Sequence, residues 1–168
     1  PNATDLNAFK AWIDAQFDAS VTWTDIQWLR SIWPGKLLLK GILEVDDALS
    51  AVAIGVDGVV VSNHGGRQLD SVASTISKLP AISEAVGKRL EIYLDGGVRS
   101  GVDVFKAMAL GARGVFIGRP WIWALAGGGA IGLGALLDTF RREFEIAMTL
   151  TGVTRVSDIT KELIDPTQ

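Results

Sequence analysis

The stretch Val59-Val60-Val61-Ser62-Asn63-His64-Gly65-Gly66-Arg67-Gln68-Leu69-Asp70 decides the reading of this chain. Three consecutive β-branched apolar residues without polar alternation predict a strand buried on both faces, as in parallel sheets. The run breaks at once into a polar, glycine-flanked loop. Outward from it, three more short apolar runs repeat the pattern: Leu37-Leu38-Leu39, Ile92-Tyr93-Leu94 and Val115-Phe116-Ile117.

Between the strands lie segments of helical period. Residues 46–54 place Ala48, Val52 and Ala53 on one face, and 76–86 repeat apolar residues around Pro80. Val102, Phe105, Ala109 and Leu110 form a stripe over 102–110. Residues 133–150 predict the longest helix, with Leu136, Leu137, Phe140, Phe144, Ala147 and Met148 inward. A further helix over 23–33 precedes the first strand and stops at Pro34-Gly35. Gly55, Gly87 and Gly111 close other helices ahead of their strands.

The result is one helix followed by four βα units, an α/β chain. Such a pattern closes either as an open doubly wound sheet or as part of an eight-stranded barrel. A whole barrel takes about 250 residues. The 168 residues of this chain are expected to be half of one, with two open sheet edges and an exposed apolar interior.

Composition narrows the function. A net charge of −3 gives no electrostatic footprint for nucleic acid. The absence of cysteine excludes disulfide and thiolate chemistry, and a single histidine argues against zinc. The 18 uncharged residues between Arg119 and Asp138 approach the length of a membrane span. Pro120 and the glycines at 127, 128, 129, 132 and 134 weaken a helix there at ~1 kcal/mol per Gly. The expectation is a flexible loop entering a buried helix.

In both candidate folds, chemistry gathers beyond the carboxyl ends of the strands. Those ends carry Lys40-Gly41, the Ser62–Asp70 segment, Asp95-Gly96-Gly97-Val98-Arg99-Ser100-Gly101 and Gly118-Arg119-Pro120. The last two predict a phosphate cradle, because glycines admit backbone amides close to an anion while Arg99 and Arg119 bring charge. His64 is the only imidazole, and imidazole titrates near neutrality. Arg67 has the fork that grips a carboxylate. On chemistry alone, a solvated His–Arg pair remains an equal reading.

Taken together, S-N-H-G-G-R-Q-L-D at 62–70, L-L-L-K-G at 37–41, L-D-G-G-V-R at 94–99 and I-G-R-P at 117–120 resemble the FMN-dependent α-hydroxy-acid oxidases and dehydrogenases. The likeness runs from about Val21 to Ile164. It implies strands five to eight of a (βα)₈ barrel, the C-terminal half. It implies FMN as cofactor and oxidation of an L-2-hydroxy acid to the 2-oxo acid. By the same likeness His64 is the active-site base and also contacts the substrate, whose carboxylate Arg67 binds. Lys40 contacts the flavin near N1 and the C2 carbonyl, and Ser62 bonds its ring system. Asp95, Gly96, Gly97, Val98 and Arg99, with Gly118 and Arg119, hold the ribityl phosphate.

The resemblance also implies what this chain lacks: an aspartate that orients the base, two substrate tyrosines and further ring contacts. An N-terminal half-barrel segment or chain is the expected partner, within a homo-oligomer, a tetramer by resemblance. The start at Pro1, with no leader, reads as an internal cut. Residues 1–22 read as the tail of the long loop after strand four, and 23–168 as the flavin-binding half-barrel. Phe9, Trp12, Ile13 and Phe17 are expected to pack in a core or interface, with a membrane-contacting patch as the other possibility. The expected location is cytoplasmic, with peripheral membrane association or an organelle as further options. Two other functions fit the phosphate cradle: a barrel isomerase or lyase acting on a phosphorylated metabolite, and a flavin-binding half-barrel without activity.

Overall fold

A computed structural model describes residues 5–164; the Pro1 start and the Asp165–Gln168 end lie outside them. The chain divides into two compact units, 1–34 and 35–168. The first holds two helices. Helix α1, Leu6–Asp14, begins where the Asp5 carboxylate accepts from the amides of Asn7 and Ala8, both at 3.0 Å. Helix α2, Trp23–Ile32, opens on a capping box in which the amide and hydroxyl of Thr22 both donate to Asp25 Oδ2 at 2.7 Å. Neither helix has a buried residue within this unit, and Phe9, Trp12, Ile13 and, after α1, Phe17 are exposed.

The second unit is a parallel four-stranded sheet in the order β1-β2-β3-β4, each strand beside its sequence neighbour. Strand β1, Leu38–Ile42, pairs with β2, Gly58–Val61, and β2 pairs with β3, Glu91–Leu94. Strand β4 is only Gly114–Val115. Phe116 and Ile117, expected in that strand, lie just beyond it; the Phe116 amide still donates to the Leu94 carbonyl at 2.9 Å, and its exposed ring packs on Tyr93 at 5.7 Å. Strand β1 extends beyond the expected triplet. Lys40 is within it, and the register slips at Gly41, whose φ of 99° suits glycine.

Helices α3 (Val45–Ile54), α4 (Thr75–Val86) and α5 (Gly101–Ala109) form the crossovers. Ala48 and Ala51 of α3, and Leu79, Ile82 and Val86 of α4, are buried, as is all of β2. Each large apolar side chain removed from water this way contributes about 2 kcal/mol. A second cluster joins Phe105 and Ala109 of α5 to Ile159, with Phe144 packed edge-on to Phe105 at 6.1 Å.

The uncharged run corrects an expectation. It is helical on both sides of a kink at Gly129 (φ 58°, ψ −150°), within the first part of α6, Arg119–Leu150. The helix is long and apolar enough to cross a membrane by length and composition. Its second half is less buried than expected: Phe140 alone is buried, and Leu137 is half exposed. Since the strands run parallel, β2, β3 and β4 deliver their following loops to one rim, and the bulge in β1 sets Lys40 just behind it.

Candidate active site

The loop after β2 is built around Asn63. Its Oδ1 accepts from the Gly65 amide at 3.0 Å and its Nδ2 donates to the Ala73 carbonyl at 3.4 Å. Next to it, His64 adopts a left-handed backbone (φ 54°), followed by Gly65 and Gly66 at 68° and 71°. A non-glycine residue there is uncommon and costs of order 1–2 kcal/mol. The bond from the His64 amide to Ser62 Oγ, 3.1 Å, helps hold the turn.

Ser62 is buried, and its oxygen also accepts from Lys40 Nζ at 2.8 Å. Lys40 reaches on to Asp95 Oδ2 at 2.9 Å. Three strand ends are thereby joined by one ammonium. The other oxygen of Asp95, Oδ1, is buried with no partner among the described residues.

Gly96 and Gly97 follow with φ of 86° and 84°. The amides of Gly96, Gly97 and Val98 meet no acceptor among the described residues. Consecutive amides left open in such a turn form an anion-binding concavity. The donors just beyond are already taken: Arg99 N bonds Asp103 Oδ2 at 2.8 Å, and Gly101 N bonds Glu143 Oε2 at 2.7 Å. The start of α5 is therefore capped by protein carboxylates, and the open donors are those of the turn.

Lys40, His64, Arg67, Asp95, Gly96, Gly118 and Arg119 line one cleft of about 430 Å³. Arg119 crosses it to donate to the Gly65 carbonyl at 3.2 Å. Arg67, Arg99 and Arg119 have no carboxylate within ion-pair distance among the described residues. Of the residues expected from the sequence, Ser62 meets the cleft through Lys40, whereas Gly97, Val98 and Arg99 do not line it. Phe116, Ile117 and Ile122 form its apolar wall and were not anticipated. Asn63 and Thr75 were missed as well. An Asn ahead of two glycines is a turn signal that could have found the first. A larger apolar groove, about 1270 Å³, lies among α4, α5 and the end of α6 and contains none of these side chains.

The donor set suits FMN. Open amides and unpaired arginines fit a phosphate, the orphaned Asp95 oxygen fits a hydroxyl donor, and Lys40 fits a carbonyl or ring nitrogen.

Residues 2–166 match the FMN-dependent dehydrogenase family. The chain is 52% identical over 162 residues to an L-lactate dehydrogenase of Caulobacter vibrioides (strain NA1000 / CB15N), covering 96% of this chain and 42% of that protein. It is 53% identical over 162 residues to an L-lactate dehydrogenase of Bartonella quintana (strain Toulouse), with the same coverages. Among solved structures, a mutant flavocytochrome b2 with pyruvate bound superimposes with a TM-score of 0.85 at 40% identity, covering 89% of this chain and 39% of that one. Mandelate oxidase with (S)-4-hydroxymandelic acid gives 0.80 at 46% identity, covering 85% and 40%. The chain thus spans about two fifths of the length of these relatives. Its four βα units are part of the barrel those enzymes share, in agreement with the fold expected from the sequence. Strand order, glycine turns and the His64 loop converge on one assignment: this chain belongs to the FMN-dependent dehydrogenase family.

Proposed function

We propose that this chain supplies the flavin-binding, substrate-handling part of an enzyme that oxidises an L-2-hydroxy acid to the 2-oxo acid. The observation that carries the reading is that His64, Arg67 and Lys40 share one cleft with Gly96 and Arg119. The names of relatives agree in chemical class: lactate and hydroxymandelate are 2-hydroxy acids, and pyruvate is a 2-oxo acid.

In this reading Arg67 grips the substrate carboxylate through paired hydrogen bonds and so fixes the α-carbon within the cleft. His64 takes the proton that leaves the substrate, its place set by the turn on Asn63 and by the bond from its amide to Ser62. FMN, when bound, supplies the two-electron acceptor. Lys40 neutralises negative charge at its inner end, held by Ser62 and Asp95. The amides of 96–98, with Gly118 and Arg119, take the phosphate, and the side chain of Arg99 adds charge from outside the cleft. Phe116, Ile117 and Ile122 exclude water from one wall. The remaining strands come from a second segment or chain that covers the open edges, within a homo-oligomer.

The test is His64→Gln in the full-length, flavin-loaded enzyme. The expected result is retained FMN and loss of flavin reduction by the hydroxy acid, read as bleaching of the flavin band. Reduction surviving within ~10-fold refutes the assignment of the base. A colourless wild-type protein that takes up no FMN refutes the function itself.

A further inference from the structure

Two residues outside the cleft hold the His64 loop against the end of β3. Thr75 opens α4 and is 1% exposed. Its hydroxyl faces the carbonyl oxygens of both Asp95 and Gly96, the latter at 3.2 Å. With one proton to give, it serves the two acceptors as a shared bond. Asn63 spans the loop from its first residues to Ala73, two positions before Thr75. Gly96 is where the two meet: a Cβ there would lie 2.7 Å from Asn63 Oδ1 and 3.3 Å from Thr75.

We propose that Thr75 and Asn63 are positioning residues that set the register between the loop carrying His64 and the strand end carrying Asp95. The inference rests on the function proposed above. Asp95 holds Lys40, and Lys40 shares Ser62 with the His64 amide. Asn63, against Gly96, also accepts from the Gly65 amide, so a slip at Gly96 reaches the His64 loop by two routes. Neither Thr75 nor Asn63 lines the cleft, so neither needs to touch substrate.

The experiment compares Thr75→Val, Thr75→Ser and Asn63→Ala in the full-length, FMN-loaded enzyme, with L-lactate as the probe. Thr75→Val keeps shape and removes the donor, and flavin reduction is expected to slow by about tenfold. The rate constant should fall further than KM rises, because Arg67 still grips the carboxylate. Thr75→Ser restores the donor and should recover the rate to within about twofold. Should Thr75→Val fail to fold, Asn63→Ala carries the test, since its side chain is only half-buried. It should show the same slowing with an unchanged melting temperature. Full-rate reduction in both variants overturns the proposal, as does a Ser variant as slow as Val. Amide exchange at Gly65 and Gly66 gives a readout independent of turnover. Faster exchange in Asn63→Ala and Thr75→Val than in wild type is expected, and unchanged protection overturns the proposal. Should no 2-hydroxy acid reduce the wild-type flavin, the proposed function fails, and the exchange data still decide on the two positioning residues.

Discussion

The ammonium of Lys40 lies 2.9 Å from Oδ2 of Asp95, while Oδ1 of the same carboxylate is buried without a partner among the described residues. One oxygen fixes a cation and the other waits for a donor. Asp95→Asn replaces an acceptor beside the ammonium and leaves an amide to share the duty. FMN affinity of the full-length apoenzyme should fall about tenfold, the equivalent of one charge-assisted hydrogen bond. Titration of flavin fluorescence measures this. An unchanged dissociation constant would show that Oδ1 faces no ligand group.

His64 carries a left-handed backbone that glycine adopts without strain. Its side chain is exposed and forms no hydrogen bond among the described residues. His64→Gly should therefore raise stability by about 1 kcal/mol while flavin reduction is lost. Denaturant melts of wild type and variant read the first, and stopped-flow bleaching reads the second. A less stable variant would show instead that contacts anchor the imidazole.

Tyr93 donates its hydroxyl to Glu91 Oε2 at 2.7 Å. That bond, then burial, then the charge of Glu91 hold the phenol above its usual 10.0, against an opposing pull from Arg113. The group is an acid whose proton the fold retains. Its stabilisation is complete below the ordinary phenol pKa and is lost as pH rises through the raised one. Glu91→Gln should lower the midpoint. The tyrosinate difference spectrum against Tyr93→Phe reports it, and a midpoint that does not move refutes Glu91 as the cause of the shift.

Gly101 is where α5 meets α6. A Cβ would overlap the Phe140 carbonyl oxygen and lie 2.5 Å from Phe144 N, both backbone atoms with no rotamer to yield. Gly101→Ala should destabilise by about 3 kcal/mol, read as a drop in the urea midpoint. A shift under about 0.5 kcal/mol would mean that the two helices separate easily.

The sequence was most legible where burial and pattern agree. Val59–Val61 and Ile92–Leu94 read as buried strands because they lie inside the sheet, covered by α3 and α4. The outer strands read less well: Gly41 bulges β1, and Phe116 turns out of β4 to wall the cleft. Glycine counting misjudged only the first part of α6, which is helical on both sides of the kink at Gly129. The part that the apolar pattern did predict is where Phe140 is buried and Phe144 packs on Phe105. In the site, the strand pattern placed Lys40, His64, Arg67, Asp95, Gly96, Gly118 and Arg119 at the rim where they line the cleft, while the roles expected of them came from the resemblance. Thr75 was not, since its bonds reach 20 and 21 positions along the chain and nothing local marks them.

The neighbour order of the sheet bears on how the chain is made. From β2 onward, each strand lies beside the one that left the ribosome before it. None has to wait for a partner not yet synthesised. Vectorial growth can thus lengthen the sheet one βα unit at a time: on that side the exposed edge is the newest strand, covered by the next until β4, while the outer edge of β1 stays unpaired among the described residues.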